Sequence, residues 1–508
     1  MAADQTSYSG HTDLPVQQHQ LAEMSGATRG LLVRHCLGCW FQRSRFTPCE
    51  NVFDQNKYKK LLQPTHQDLV PTDQIDKGVT SVQTFNMVHP NSIFYALALA
   101  ATSPSASAAV SHATLQGMTL WGYQGWYAGN TKWFQPPQDI AGPPTNQQQV
   151  LTDYIPFVDD YPSNCWEPTN FVLANGSNAH WFYSNCSAVV EKHFQYMVKY
   201  GIDGILLQRF GVATFPNNPA YALGIQILNL VRQYAEKYKK YFAIEYDYSG
   251  LANNTAVSFY YPNFQADWDN VLTPLFNSSS YIYQNGKPAV AIYGAGFSTS
   301  GGTGAAFQQM WDYMSNSTAP PWKILGVPWY WQSYKPGSGN ADPENMWALY
   351  KNMDCILPWG VGAYDDPASF KNYYAGSLKS GKATADSLGI KFAPVIHPGT
   401  ENFNAAYNAT KGGPRGPFGY GRFNTTTLQY SLGNVSSVDL KPHFIMGAMF
   451  DEYTEGSQIL PALAWNQLPP NPNPGFAGYD SGVDPYIYMN ISGNWSTAFH
   501  RVWGQTPP

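Results

Sequence analysis

The sequence is poor in charge and has no long hydrophobic run. Only 12% of its 508 residues are charged, about half the usual share of a globular protein. Its net charge is −5 and its isoelectric point is near 6.1, so neither nucleic acid nor an anionic membrane is expected as its partner. No apolar stretch is long enough to span a bilayer, so no membrane-spanning helix is predicted.

The sequence also lacks the motifs of several common enzyme classes. It contains no His-Glu-x-x-His, no Gly-x-Ser-x-Gly and no phosphate-binding loop. Gly294-Ala-Gly296 begins like a dinucleotide-binding fingerprint, but Thr299 stands where the third glycine belongs. We therefore expect no metal and no cofactor, and a dehydrogenase has almost no support.

Cysteine is scarce, with six residues in the whole chain. Half of them lie within the first 86 residues at a spacing that matches a zinc site only weakly: Cys36, Cys39 and Cys49. Cys165 and Cys186 lie in a long insertion, and in an oxidising compartment their pairing would add about 3 kcal/mol by loop closure. Cys355 begins a predicted strand and is expected to be a buried free thiol.

Composition divides the chain near its N-terminus. Residues 1–86 are polar, glutamine-rich and without sustained periodicity, so we interpret them as disordered or as a gene-model extension. Residues 87–108 hold a short apolar run and the small-x-small sequence Ala106-Ser-Ala108, which together indicate a signal peptide that lacks the positive n-region. A linker or a short buried helix is the alternative for this segment. The remaining residues, 110–508, are predicted to form one domain.

Asn-x-Ser/Thr sequons are absent before residue 170 and frequent after it, which is typical of a glycoprotein of the secretory pathway. The ten sequons lie at Asn175, Asn185, Asn253, Asn277, Asn316, Asn408, Asn424, Asn434, Asn490 and Asn494. We therefore expect a secreted monomer that carries N-linked glycans.

Short apolar runs alternate with helical segments beyond residue 117. Eight runs are predicted to be strands: 119–127, 201–209, 241–248, 288–293, 324–329, 355–359, 392–397 and 444–450. Helices are predicted between them, among others at 187–200, 220–239, 307–314 and 346–353. This alternation predicts a single eight-stranded parallel β/α (TIM-type) barrel with long loops. A doubly wound open sheet is the alternative.

Aromatic residues are abundant, with 16 Trp and 35 Tyr. Their flat apolar faces with a hydrogen-bonding edge suit pyranose rings, which favours a carbohydrate partner. In a β/α barrel the chemistry lies at the C-terminal ends of the strands. Candidate substrate-binding residues at these ends are Trp126, Tyr127, Arg209, Glu245, Asp247, Trp329, Tyr330, Trp331, Tyr364, Asp365, His397 and Glu401. Single members have structural alternatives, such as an Arg209–Glu245 ion pair or a core position for Trp329.

Three carboxylates follow the last predicted strand. Asp451, Glu452 and Glu455 lie within five residues, and Gly456 permits a tight turn. Because carboxylates crowded at a buried strand end repel one another and are desolvated, such clusters are typical of functional sites. Hydrolysis of a glycosidic bond needs a carboxylic acid and a second carboxylate, so Glu452 and Glu455 are the predicted catalytic pair. The alternative is an acidic surface loop that caps the next helix through Ser457 or Asp451.

This segment resembles a motif of glycoside hydrolase family 99, Glu-Trp-His-Glu-Gly-Thr-Gln at the end of the last barrel strand. Here the motif reads Glu452-Tyr-Thr-Glu455-Gly456-Ser-Gln458, which keeps both acids, the glycine and the glutamine. It also resembles the Asp-Tyr-Gly-Glu element of the related family 71. Gly201-Ile-Asp-Gly204 and Tyr123-Gln-Gly-Trp126 are similar to the same clan. The likeness spans roughly residues 117–500 and is greatest to fungal secreted xylosidase/arabinosidase-like proteins.

The resemblance implies a β/α barrel that acts on α-linked glycans, as the endo-α-mannosidases and α-glucanases of this clan do. It implies that Glu452 acts on the sugar 2-hydroxyl through an anhydro-sugar intermediate and that Glu455 is the acid/base. Tyr453 and Gln458 would contact the substrate. The replaced Trp-His pair leaves the sugar open, and the likeness to an inverting family leaves the stereochemistry open. We expect a secreted glycoside hydrolase, and the alternative is a non-catalytic carbohydrate-binding or cell-wall protein on the same barrel.

Overall fold

The structure is a computed structural model of the whole chain. It describes residues 112–127, 152–248, 256–297, 302–342, 344–400, 425–470 and 476–506. The predictions made for residues 1–86 and 87–108 lie outside these ranges, as does Glu401.

Each of the eight apolar runs predicted to be strands overlaps a strand, and the run 392–397 overlaps two. The strands in the described residues are β1 (Thr119–Tyr123), β2 (Trp166–Val172), β3 (Asn178–Phe182), β4 (Gly204–Phe210), β5 (Tyr241–Asp247), β6 (Tyr283–Gln284), β7 (Lys287–Tyr293), β8 (Trp322–Pro328), β9 (Cys355–Trp359), β10 (Lys391–Phe392), β11 (Val395–Ile396) and β12 (Ile445–Gly447). The main sheet runs in the order β10-β9-β8-β7-β5-β4-β1-β12-β11, and all its neighbouring strands are parallel.

The two ends of this sheet are consecutive pieces of the chain, so the sheet closes into a ring. Only Ala393 and Pro394 separate β10 from β11. The backbone N–H of Ala393 donates to the carbonyl of Ile356 in β9 at 3.0 Å, and the carbonyl of Pro394 accepts from Met446 in β12 at 3.1 Å. Counting β10 and β11 as one interrupted strand gives eight parallel strands. The prediction of an eight-stranded barrel is confirmed, and the open sheet is excluded.

Helices follow most strands and cover the outside of the barrel. They are α1 (Ser187–Tyr200), α2 (Pro219–Tyr238), α3 (Ala256–Asp267), α4 (Gly304–Ser315), α5 (Met346–Tyr350), α6 (Pro367–Tyr373), α7 (Lys379–Ser387), α8 (Thr426–Val435) and α9 (Ile487–Val502). Local sequence sets their ends. Gly201 ends α1 with a φ of 75°, which only glycine adopts without strain. The side chain of Asn218 accepts from Ala220 at the start of α2.

An insertion between β1 and α1 forms a separate antiparallel hairpin from β2 and β3. Cys165 at the start of this hairpin and Cys186 before α1 form a disulfide bond, with Cα atoms 5.6 Å apart. Cys355 is a buried free thiol, and burial raises its pKa well above the usual range. Both predictions for these cysteines are confirmed.

Strand register determines which side chains enter the barrel. In β5 the hydroxyl of Tyr246 donates to Asp267 of the outer helix α3 at 2.9 Å, so Tyr246 faces outward. Because side chains alternate along a strand, Glu245 and Asp247 face the barrel interior. Gln208 of β4 is the register partner of Glu245 and therefore faces inward too.

A buried hydrogen-bond network at the N-terminal end of the barrel fixes the C-terminal helix. The carboxylate of Asp203 accepts from the backbone N–H of Thr119 at 2.7 Å and from the hydroxyl of Ser496 at 2.6 Å. It also lies 2.8 Å from Nε2 of His500. Asp203 thus joins β1 and α9 at the end of the barrel opposite the strand ends predicted to be functional.

The asparagines of the described sequons lie at the surface or close to it. Asn175, Asn277, Asn316, Asn490 and Asn494 are exposed, and Asn185 and Asn434 are half-buried. Within the described part of the chain, no helix combines the length and apolar character that a membrane crossing requires.

Candidate active site

The last barrel strand, β12, leads into a tight turn that carries the acidic motif. The carbonyl of Glu452 accepts from the backbone N–H groups of Ser457 at 3.0 Å and Gln458 at 3.1 Å. Gly456 has a φ of 64°, which fits the predicted need for glycine at this point. The hydroxyl of Thr400 donates to the carbonyl of Glu455 at 2.8 Å, so the segment after β11 holds the turn from the other side.

Within this turn Glu452 and Glu455 interact electrostatically. The side chain of Glu452 is only 2% exposed, and its Oε1 accepts from the backbone N–H groups of Thr454 at 2.7 Å and Glu455 at 3.1 Å. Burial raises the pKa of Glu452 well above the usual range, and the charge of Glu455 raises it further. Glu455 is half-buried, so one carboxyl of the pair is buried and the other is more accessible to solvent.

The third acid of the motif, Asp451, has a structural role. Its two carboxylate oxygens accept from the backbone N–H groups of Gln124 and Gly125, each at 2.8 Å. Burial raises the pKa of Asp451 to about 6, although these two hydrogen bonds act in the opposite direction. Asp451 therefore fixes the loop after β1 to the turn after β12. Neither Asp451 nor Ser457 caps a helix here, since the next helical turn begins only at Trp465.

A second pair of acids lies on the inner wall of the barrel at the end of β5. Both Glu245 and Asp247 are buried, and the side chain of Gln208 donates to Asp247 at 3.3 Å. Burial raises the pKa of Glu245 to about 8, with a further contribution from the charge of Asp247. The carboxyl oxygens of Glu245 make no hydrogen bond of ordinary geometry among the described residues.

Aromatic side chains surround the mouth of the barrel. Trp329 and Tyr330 follow β8 and are 39% and 38% exposed, with ring centroids 5.4 Å apart. Trp126 stacks on Phe210 at 5.3 Å with an angle of 6° between the rings. Trp126 is buried, whereas the exposed rings of Trp329 and Tyr330 offer flat faces to a sugar.

His397 lies after β11 and is fully buried. The hydroxyl of Tyr364 accepts from the backbone N–H of His397 at 3.0 Å, and the two rings lie 4.2 Å apart. Tyr364 is itself buried and stacks on Tyr373. Tyr364 therefore supports His397 from below.

No family model matches the sequence, and no curated protein does so either. Among solved structures, the chain is similar to an endo-α-mannosidase of glycoside hydrolase family 99 from Bacteroides thetaiotaomicron. The identity is 15% and the TM-score 0.53, over 77% of this chain and all 100% of that one. The same enzyme in complex with bis-tris propane gives the same identity and TM-score, over 77% of this chain and 99% of that one. The chain has the family 99 fold. The fold expected from the motif after β12 is thereby confirmed.

Two predicted substrate-binding residues form polar contacts with other side chains of the protein. Arg209 faces the outside of β4, where its Nε donates to Asp267 at 2.7 Å, so it pairs with Asp267 and not with Glu245. Asp365 is exposed and accepts from the hydroxyl of Ser369 at 2.6 Å. It therefore stabilises the start of α6.

Three predicted aromatic contacts and one amide are buried in the packing beneath the site. Trp331 is fully buried and stacks on Trp347 at 5.8 Å. Tyr127 and Tyr453 are also fully buried, and the hydroxyl of Tyr127 accepts from the backbone N–H of Tyr453 at 2.9 Å. Gln458 is fully buried as well. Tyr127, Tyr453 and Gln458 lie in or against the turn, whereas Trp331 packs against α5, and none of the four is exposed.

Sequence reasoning left out two kinds of residue that the fold brings to the mouth. One is Gln124, just after β1, whose side chain acts to lower the pKa of Glu452; only its place after the strand signals it in the sequence. Tyr293 and Trp359 end β7 and β9 and lie with ring centroids 4.9 Å apart. The described residues contain no group of three or more His, Cys, Asp or Glu placed to hold a metal ion.

Proposed function

We propose that the protein is a glycoside hydrolase that cleaves an α-linked glycan or polysaccharide with Glu452 and Glu455. One observation carries the proposal: the two carboxyls share the turn after the last barrel strand, and the charge of Glu455 raises the pKa of buried Glu452. Two carboxyls that repel each other in this way favour a state in which one of them carries a proton. The reaction needs this state, because one carboxyl must give a proton while the other takes one.

The proposed roles follow from the surroundings of each carboxyl. Glu452 is buried, and its raised pKa makes its carboxylate a strong base toward the weakly acidic 2-hydroxyl of a sugar. Glu455 is half-buried at the edge of the turn, where it can reach a leaving-group oxygen. Glu452 would thus assist an anhydro-sugar intermediate, and Glu455 would act as acid and then as base.

The substrate class follows from the mouth of the barrel and from the fold. The exposed rings of Trp329 and Tyr330 suit a neutral pyranose chain, and the buried acids Glu245 and Asp247 disfavour an anionic ligand. Side chains at the strand ends would bind this substrate, with Trp126 and His397 among them. The α-linkage is proposed because the solved structure with this fold is an endo-α-mannosidase.

Conservative amide variants test the assignment. Glu455→Gln and Glu452→Gln should each lower kcat by about 10²–10⁴-fold on the substrate that the wild type cleaves best. Binding of that substrate and the unfolding temperature should change little, because the amide keeps the size of the side chain. Glu236→Gln is the matched control, since Glu236 forms an exposed ion pair with Arg232 on α2. Its activity should equal that of the wild type.

The substrate panel consists of α-mannans, α-glucans and arabinoxylans, with reducing-end release as the readout and NMR of the first-formed anomer for stereochemistry. Retained activity in Glu455→Gln would remove the acid/base assignment. Binding without hydrolysis on the whole panel would favour a non-catalytic carbohydrate-binding protein on this barrel.

We also propose that the protein is a secreted, monomeric N-glycoprotein. The surface positions of the described sequon asparagines and the Cys165–Cys186 disulfide support this proposal. Enzymatic removal of N-glycans from protein secreted by a eukaryotic host should lower its mass. An unchanged mass would contradict the proposal.

A further inference from the structure

The acidic turn after β12 (residues 451–456) and the β1 loop (residues 124–127) are joined by hydrogen bonds in both directions. From the loop, two backbone N–H groups donate to the carboxylate of Asp451. From the turn, the backbone N–H of Tyr453 donates to the hydroxyl of Tyr127 at 2.9 Å. The position of the turn therefore depends on the β1 loop as well as on β12.

Three consecutive backbone N–H groups of the turn are divided between Tyr127 and Glu452. Those of Thr454 and Glu455 donate to Oε1 of Glu452 at 2.7 and 3.1 Å, whereas that of Tyr453 donates to Tyr127. Because the three groups follow one another along the backbone, fixing the first limits the directions that the next two can take. The hydroxyl of Tyr127 therefore influences how well the turn binds the carboxylate of Glu452.

Tyr127 is too deeply buried to contact a substrate itself. Its side chain is fully buried, and its ring packs against those of Trp181, Phe182 and Tyr453, with centroids 5.5, 5.6 and 5.9 Å away. Burial raises the pKa of its hydroxyl well above the usual range, so the hydroxyl stays neutral near neutral pH. Any effect of Tyr127 on catalysis must therefore act through the turn.

The insertion that contains β2 and β3 holds Tyr127 in place. The backbone N–H of Tyr127 donates to Oγ of Ser184 at 3.0 Å, and its carbonyl accepts from the backbone N–H of Ser184 at 2.6 Å. Ser184 lies between β3 and Cys186, whose disulfide to Cys165 closes the insertion. A tyrosine that is fixed at its backbone and around its ring keeps its hydroxyl in one place, as a positioning role requires.

We propose that Tyr127 is a positioning residue for the proposed catalytic turn: its hydroxyl holds the N–H of Tyr453 so that the next two N–H groups stabilise the carboxylate of Glu452. The proposal rests on the glycosidase function proposed above. Loss of the hydroxyl would leave the N–H of Tyr453 buried without its acceptor, and the turn would shift to satisfy it. The hydrogen bonds to Glu452 would then weaken, and its carboxylate would form less readily.

The other described groups that act on the charge of Glu452 are left unchanged when a phenylalanine replaces the tyrosine. Burial raises the pKa of Glu452 most, and the charges of Glu455 and then Asp451 in its own turn raise it further. The side chain of Gln124 in the β1 loop lowers it. The segment after β11 contacts the turn through the uncharged Thr400. A change in the titration of Glu452 would therefore report a change in the geometry of the turn.

The test compares Tyr127→Phe with Tyr281→Phe as a matched control. Tyr281 is also fully buried, and its hydroxyl also accepts from a backbone N–H, that of Ile244 at 3.3 Å. It packs near the other end of β5 and β7, where its hydroxyl donates to the carbonyl of Ala289.

Tyr127→Phe should lower kcat on the cleaved substrate by about 10- to 100-fold and change KM little, as expected when a catalytic group is misplaced. Its pH profile of kcat should move to higher pH, because the carboxylate of Glu452 forms less readily. Ser184→Ala, which loosens the backbone of Tyr127, should act in the same direction to a smaller extent. Tyr281→Phe should leave kcat, KM and the pH profile unchanged.

Infrared titration of the protonated carboxyl of Glu452, assigned by its loss in Glu452→Gln, separates this inference from the proposed function because it needs no activity. Glu452 should keep its proton to higher pH in Tyr127→Phe than in the wild type or in Tyr281→Phe. An equal titration and an equal pH profile of kcat in Tyr127→Phe and the wild type would overturn the inference while the glycosidase proposal stands. A shifted titration in a protein without any hydrolysis would keep the control of Glu452 by Tyr127 and refute the enzyme. The same shifts in Tyr281→Phe would also overturn the inference, since they would indicate a general loosening of the barrel.

Discussion

Replacing Glu245 by glutamine is expected to stabilise the protein increasingly as pH rises from about 4.5 to about 8. Glu245 is buried inside the barrel, and its pKa is raised from 4.5 to about 8, mainly by burial and then by the charge of Asp247. Between these values the unfolded chain has lost the proton while the folded chain keeps it. Unfolding then releases a proton and becomes easier as the pH rises.

The size of the effect follows from the two pKa values. A change from 4.5 to about 8 corresponds to on the order of 5 kcal/mol of unfolding free energy across that range. Glutamine has the same shape and no proton to lose, so the Glu245→Gln variant escapes this penalty. Its amide group can also donate to Oε1 of Gln208, which has no hydrogen-bond partner among the described residues. Below pH 4.5 both proteins carry a neutral group and should be about equally stable.

The assay is the unfolding temperature of both proteins at pH 4.5, 6 and 8, followed by calorimetry. The advantage of Glu245→Gln should be near zero at pH 4.5 and grow to roughly 5 °C at pH 8. Glu236→Gln serves again as the control, because an exposed ion pair contributes little to stability and its loss should show no such growth with pH.

Two results would refute the reasoning. A constant difference across this range would mean that Glu245 titrates at its ordinary pKa. Lower stability of Glu245→Gln at pH 8 would mean that the folded protein uses Glu245 as a hydrogen-bonded carboxylate.

The remaining predictions concern two buried aspartates outside the proposed catalytic pair. Asp451→Ala should destabilise the protein by about 2–4 kcal/mol, since it leaves the backbone N–H groups of Gln124 and Gly125 without their acceptor; an unfolding temperature equal to that of the wild type would contradict this role. For His500, burial lowers the pKa, but the hydrogen bond to Asp203 and its charge outweigh burial and raise it overall. Its contribution to stability is therefore full at low pH and is lost as pH rises through the raised pKa. Asp203→Asn should remove this dependence in thermal unfolding at pH 5 to 8, and a pH profile like that of the wild type would argue against the pair.

The sequence was sufficient to predict the fold because the signals of a β/α barrel are local. The helix predicted at 187–200 matches α1 (Ser187–Tyr200), since apolar residues recur at helical spacing before Gly201. The hairpin of β2 and β3 was missed, because Pro168 and the polar residues of β3 interrupt the alternation expected of strands. Asn175-Gly176 between these strands is a turn signal that would have revealed it.

The structure places Glu452 and Glu455 in one turn, as predicted, but several strand-end residues predicted to bind substrate lie elsewhere. The prediction selected neighbouring residues together, although neighbours in a strand point to opposite faces and the backbone changes direction where a strand ends. Trp329 and Tyr330 are exposed, whereas Trp331, which begins the helical turn after β8, is in the core. Arg209 faces the outside, where it pairs with Asp267. This partner lies 58 residues further along the chain, and no local sequence pattern identifies it.

The described inner wall neutralises its acids by protonation instead of by ion pairing. Glu245 and Glu452 are buried with raised pKa values, and Arg209, the buried arginine of the described chain, is already paired with Asp267 on the outer side of β4. A lysine or arginine beside these acids would lower their pKa values and leave them ionised at neutral pH. Among the described residues no lysine or arginine lowers the pKa of Glu245 or Glu452, so both carboxyls can keep a proton near neutral pH. A basic residue introduced beside the pair is therefore incompatible with general-acid catalysis near neutral pH, even if it stabilised the fold.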